Sequence, residues 1–211
     1  MEPLIEPAWL GYAKRLQALA STGLYYGKSA FDRERYHEIG EIAHAMLADL
    51  GNVPIARIAD LVPDFARGYP APKVDVRGAV IDGDGVLLVR ERSDGGWTLP
   101  GGFADIGISP ARNTEKEVRE EAGLNVTARR LYAVRHKASH PYPPDPIDFY
   151  KLFFLCDRLD DGPPQAGIET EGAEFFRLDA LPPLSRGRTI EADLHAAFEF
   201  AANPGKATLF D

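Results

Sequence analysis

Between Gly101 and Leu124 the chain reads GGFADIGISPARNTEKEVREEAGL, a run that few folds can accommodate. A glycine pair precedes a helix that should start at Ser109-Pro110 and stop at Gly123. Serine caps the orphan N–H groups, proline takes the first helical position without losing a needed donor, and glycine adopts the left-handed turn that ends a helix. Ala111, Thr114, Val118 and Ala122 recur at helical spacing and form an inward face. Glu117, Glu120 and Glu121, at i, i+3 and i+4, share a different face with Cβ atoms about 5–6 Å apart. At about 6 Å and an effective dielectric near 20, each carboxylate pair repels by roughly 3 kcal/mol, a cost that a hard divalent cation turns into attraction. Oxygen-only ligands suit Mg2+ or Mn2+, which keep several waters and reach for substrate phosphates. Gly101 and Gly102 let backbone pass close to a ligand, and the Gly101 carbonyl is a candidate further metal oxygen.

The chain divides at PDFARGYPAP, Pro63 to Pro72, where prolines and a glycine without period mark a linker. Expected boundaries are 1–62 for a helical N-terminal domain, 63–72 for the linker and 73–211 for a second domain. In the first, Trp9, Ala13, Leu16 and Leu19 or Ala20 recur at helical spacing up to Gly23. Tyr36, Ile39, Ala43, Met46, Leu47 and Leu50 do so between Asp32, read as a cap, and Gly51, and a third short helix should start at Pro54. These apolar faces are large for so small a module, so it should pack on the second domain or on another copy of itself. Beyond the linker the period changes to that of strands. Val74–Ile81 and Val86–Arg92 flank the turn Asp82-Gly83-Asp84-Gly85, a hairpin signal. Strands at Val126–Val134, Ile147–Asp157 and Glu174–Leu178 should follow the acidic helix, with a closing helix at Ile190–Ala202. That order gives an α/β sandwich with a mixed sheet.

A chain of 211 residues, 45% hydrophobic, can bury a full core. Its net charge of −8 carries no basic stripe to release counterions, which argues against a nucleic-acid partner and against an anionic membrane surface. A DNA-reading helical module is disfavoured on the same ground, since acids outnumber bases there. The single Cys156 lies in the apolar run IDFYKLFFLC and reads as a small buried hydrophobe. Residues 1–30 lack the basic start and continuous apolar stretch of a signal peptide, so a cytoplasmic protein is expected.

The acidic segment resembles the Nudix box, G-x5-E-x7-R-E-U-x-E-E-x-G-U with U aliphatic, the signature of a family of Mg2+-dependent hydrolases. Gly102, Glu117, Val118, Glu120, Glu121, Gly123 and Leu124 fall on the pattern, whereas Ile108 replaces its first glutamate and Lys116 its arginine. The resemblance implies that Glu117, Glu120, Glu121 and the Gly101 carbonyl hold the metal, within a Nudix-type α/β/α sandwich. Ile108 removes a carboxylate that in the family helps hold the loop and cation site, and lysine lacks the bidentate fork of arginine. The opening segment WLGYAKRLQALASTGLYYGKSAFDRERYHEI, with YKLFFLC and GIETEGAEFFRLDALPPLS later on, is similar to a Nudix subgroup with a helical N-terminal domain. That subgroup hydrolyses nucleoside diphosphates linked to another moiety, of the ADP-ribose or CDP-choline type, and its members are often homodimers. The implied partner is thus a nucleoside diphosphate-linked small molecule, cleaved to a nucleoside monophosphate and a phosphorylated product.

Such a reaction needs negative charge neutralised, a water placed in line and its proton taken. Glu169 and Glu171, in the loop before the FFRL strand, are candidate bases, as is a glutamate of the box; a solvated loop acid is the plain reading of either loop residue. Arg90, closing the strand before the box, resembles a phosphate-contacting position, with a surface ion pair as its plain reading. The five histidines lack metal-ligand spacing, Arg186 and Arg188 read as surface pairs, and Trp97 as packing for the box loop. Ile108 and Lys116 keep an alternative open: a Nudix domain with lost catalysis that serves as a nucleotide-binding sensor or scaffold.

Overall fold

The computed structural model describes residues 7–51 and 69–211, so the helix expected from Pro54 and most of the linker lie outside the described residues. Two compact units emerge: one holding the two described N-terminal helices together with Pro144–Asp148, and a sheet unit comprising Lys73–Pro143 and Phe149–Asp211.

In the helical unit, α1 (Ala8–Tyr26) and α2 (Ala30–Gly51) are joined by a short turn. Leu10 and Ala13, near the start of α1, pack on Leu47 and Ala48, near the end of α2, so the pair is antiparallel. The expected cap at Asp32 is corrected by the structure: α2 begins at Ala30, and the Ser29 hydroxyl accepts the Asp32 N–H at 3.4 Å. Ser29 is the nearest side chain upstream that can reach an orphan donor. Neither described helix here is long and apolar enough to cross a membrane.

The sheet unit contains β1 (Lys73–Asp82), β2 (Gly85–Glu91), β3 (Trp97–Thr98), α3 (Pro110–Ala122), β4 (Val126–His136), β5 (Phe149–Arg158), β6 (Thr170–Arg177), α4 (Glu191–Ala202) and β7 (Leu209–Phe210). β1 runs parallel to β5 from Lys73 to Val80, β4 is antiparallel to β5, and β7 adds parallel to β4. β2 carries β3 and β6 on a second half-sheet, both antiparallel to it. The two halves meet only at the tip of the hairpin, where Ile81 faces Val86 and Asp82 faces Gly85. They diverge below that point, leaving the β1 edge without a strand partner. The loop after β3 fills it: Val76 N–H donates to the Gly102 carbonyl, Gly78 N–H to Pro100 and Ala104 N–H to the Val74 carbonyl, each at 2.9 Å.

Alternation along β1 separates two cores. Ala79 joins Leu88, Leu99, Tyr132, Phe153 and Leu194 beneath α4, while Val80 joins Leu87, Phe154, Val118 and Ala122 beneath α3. Sequence period missed β3 and β7, each two residues long, and placed the start of β6 four residues late. Pairs that short carry no alternation to detect. Cys156 is buried in the core beneath α3, and burial pushes its thiol up to about 12, so it behaves as a small hydrophobe.

Candidate active site

The split between the half-sheets puts the glycine loop directly over β1. Gly101 has φ +148°, and a Cβ there would stand 2.0 Å from the Val76 carbonyl oxygen, so only glycine lets the loop lie this close. Its N–H donates to Glu121 Oε2 at 2.8 Å, tying loop to helix. Phe103, next along, stacks parallel on Phe149 with ring centroids 5.6 Å apart.

Helix α3 begins and ends as its sequence dictates. The Ser109 hydroxyl accepts the Arg112 N–H, Pro110 stands in the first turn, and Gly123, left-handed at φ 67°, closes it. At about 100° per residue, Thr114, Val118 and Ala122 span an inward arc. Glu121 lies on the border of that arc, Glu117 about 40° further round and Glu120 about 100° further. Burial grades accordingly: Glu121 is 6% exposed, Glu117 is half-buried and Glu120 is exposed. The three acids are co-facial but unequal in environment. The fourth, Glu115, is structural; it accepts the Ala128 N–H at 3.0 Å and pairs with Arg112 at 2.7 Å.

Electrostatics follow burial. Desolvation raises the Glu121 carboxyl from 4.5 to about 7 although Arg77 and the Gly101 N–H oppose it, with Glu91 and Glu117 adding repulsion. Glu117 is raised as well, chiefly by burial, and Glu120 adds to the rise. Lys116 answers part of this charge. Its Nζ lies 3.0 Å from Glu120 Oε2, 3.6 Å from Glu117 Oε1 and 3.1 Å from Asp105 Oδ2, and these bonds raise its own pKa.

Sequence reasoning missed Arg77, the buried cation nearest in effect to Glu121. It lies on the opposite face of β1 from α3, hydrogen-bonded to Asp75 at 2.9 Å and to the Leu99 carbonyl at 3.1 Å. Asp75 also binds buried Lys151, its register partner on β5. Although burial raises the Asp75 pKa, the two cations outweigh it and hold the carboxyl below its usual range. Two charged residues spaced by two within an otherwise apolar strand were the available signal.

Other expected site residues are distributed around this centre. Glu169 is exposed, in a loop fastened to the end of α3: the Thr170 hydroxyl donates to the Glu121 carbonyl at 2.8 Å, and Gly167 N–H donates to the same oxygen at 3.2 Å. Arg90 sits on the second half-sheet, donating to the Gly95 carbonyl at 3.2 Å and lying 4.0 Å from Glu171. Arg188 pairs with Glu91 and Asp94 at 3.1 and 3.3 Å. Trp97 packs edge-to-face on Phe176, 4.7 Å between centroids, and so serves the second half-sheet. His140 meets Asp211 at 2.7 Å, away from the glutamates.

Whether the residues fit a metal is a question of donor chemistry. Among the described residues no three carboxylate, imidazole or thiolate side chains converge on one point, because Glu121 turns to Gly101 while Glu117 and Glu120 turn to Lys116. The donors are nonetheless all oxygen, two of them carry pKa values raised by burial that neighbouring cations and donors only partly offset, and a cationic group already lies among them. Such a set suits a hard dication once side chains rotate toward it.

A model of the NUDIX domain matches residues 71–198, and one described as a UDP-X-like, N-terminal oligomerisation domain matches residues 7–62. The chain is a Nudix hydrolase. Similar proteins include YjhB of Bacillus subtilis strain 168, provisionally named as an ADP-ribose pyrophosphatase, 44% identical over 98% of this chain and 99% of that one. A solved structure described as an ADP-ribose pyrophosphatase from Streptococcus suis is 38% identical, with TM-score 0.59, covering 67% of this chain and all of that one. Another, a UDP-X diphosphatase, is 29% identical with TM-score 0.61 across 97% of this Nudix hydrolase and 98% of that chain.

Proposed function

We propose that this Nudix hydrolase is a metal-dependent pyrophosphohydrolase that cleaves the diphosphate linkage of a nucleoside diphosphate joined to another moiety, of the ADP-ribose or CDP-choline type. The products are a nucleoside monophosphate and a phosphorylated partner. The observation that carries the reading is the pair Glu117 and Glu121, burdened with raised pKa values at the split between half-sheets and one hydrogen bond from the Gly101 turn. Glu117, Glu120, Glu121 and the Gly101 carbonyl would hold Mg2+ or Mn2+, which supplies charge neutralisation for the diphosphate when bound. The likeness to proteins named for ADP-ribose and UDP-X hydrolysis supports the substrate class, with ADP-ribose favoured over CDP-choline.

The chain's own groups have distinct tasks. The Gly101 N–H holds Glu121 by a hydrogen bond at 2.8 Å and so fixes the direction of its carboxylate. Glu169, carried on the loop that Thr170 and Gly167 fasten to α3, takes the proton of the attacking water as general base. Arg90, half-exposed on β2, meets a substrate phosphate by leaving the weak Glu171 contact.

The domain division is read as 1–62 for oligomerisation, 63–72 as linker and 73–211 for hydrolysis. A homodimer is supported by Tyr12, Leu19, Tyr25, Tyr26, Phe31 and Ile42, large apolar side chains exposed on α1 and α2. A catalytically silent nucleotide sensor is the second reading, favoured by Ile108 and by Lys116 lying on the glutamates. Incubating the chain with Mg2+ or Mn2+ and a panel of ADP-ribose, CDP-choline, UDP-sugars, NADH and nucleoside triphosphates, with chromatography of products, separates them. Monophosphate release supports hydrolysis, and tight binding without turnover supports the sensor.

A further inference from the structure

We propose that Asp105 is a positioning residue that gives Lys116 a carboxylate partner outside the metal-binding glutamates, so that Lys116 can yield those oxygens to a dication. The inference rests on the metal reading of the site given above. Lys116 has three carboxylates within reach, at 3.0, 3.1 and 3.6 Å, and two of them, Glu120 and Glu117, are the proposed ligands. An ammonium centred on those two competes with a dication for the same oxygens and repels it. To make room without losing its own partner, Lys116 needs a carboxylate outside the ligand set. Asp105 is that group.

Its position is built into the loop. Asn113, fully buried on α3, accepts the Asp105 N–H at 2.9 Å, and its Nδ2 donates to the Asp105 carbonyl at 3.4 Å. The same nitrogen lies 3.5 Å from the Ile108 carbonyl and 3.4 Å from that of Ser109. One buried amide therefore fixes backbone from 105 to 109, so the loop is held without an acidic side chain at 108. Ile108, 44% exposed, is not needed as a core residue. Asn113 thus holds the loop, and Asp105 offers Lys116 the carboxylate that Ile108 does not supply.

The test is calorimetric titration of Mn2+ into the full chain and three variants: Asp105→Asn, Lys116→Gln and the double variant. Asp105 is exposed, and asparagine keeps its size, so the fold should survive. Asp105→Asn is expected to weaken Mn2+ binding about 10-fold, the scale found when groups that orient metal ligands are removed. Lys116→Gln should bind at least as tightly as the parent, and Asp105→Asn in that background should change nothing. Parental affinity in Asp105→Asn overturns the proposal. So does an equal loss with and without Lys116, which would make Asp105 a ligand or a loop anchor. A parent chain that binds no Mn2+ overturns the metal reading itself, and the inference falls with it.

Discussion

Replacing Glu121 by glutamine should make the metal-free protein more stable at pH 8. The carboxyl is shifted from 4.5 to about 7, so between those values the folded chain keeps a proton that the unfolded chain has lost. Stability then falls as pH rises through that window and stays low above it. At about 1.4 kcal/mol per unit the full deficit is roughly 3 kcal/mol, with the attraction of Arg77 already included in the net shift. Glutamine is isosteric, neutral and still able to accept the Gly101 N–H. Allowing for relaxation around a carboxylate at the edge of the core, a gain of about 2 kcal/mol is expected, or roughly 4–8 °C in Tm. The assay is thermal unfolding of the full chain in chelator at pH 8 and pH 5. The gap should appear at pH 8 and close at pH 5, where the native carboxyl is itself neutral. Excess Mg2+ should stabilise the parent and leave the variant unmoved. If the glutamine variant is instead less stable at pH 8, then Arg77 outweighs desolvation and the account of a strained, metal-awaiting carboxylate is refuted.

Glu169→Gln should lower kcat by about 100-fold or more with little change in KM, as loss of a general base does; an unchanged kcat would move that role to a glutamate of the box. Arg90→Ala should raise KM for a diphosphate substrate and leave Tm within about a degree, because its contacts with Gly95 and Glu171 are exposed and weak. Equal KM would return Arg90 to a surface role. Changing Tyr25 and Leu19 to aspartate should shift the mass seen by light scattering toward a monomer, whereas a parent chain already monomeric at micromolar concentration would remove the dimer from the proposal.

Some of the fold was legible because its signals are local. The hairpin at Asp82–Gly85, the start and stop of α3 and the period of α4 depend on residues within a few positions of one another, and each stands within a residue or two of where its chemistry placed it. β3 and β7 were not legible, since each exists only because a partner strand lies beside it. The cap of α2 moved from Asp32 to Ser29 because two eligible side chains lay three apart and the turn geometry chose between them.

The candidate site divides along the same line. Sequence by itself determined that Glu117, Glu120 and Glu121 share a helix face and that glycines precede them, since helical pitch and backbone sterics act within the segment. Only tertiary structure decided that Glu121 is the buried member of the trio, that Arg77 opposes its burial from the far side of β1, and that Lys116 reaches Asp105 as well as Glu117 and Glu120. Desolvation and charge coupling depend on what surrounds a group in space, and those surroundings come from strands and loops distant along the chain.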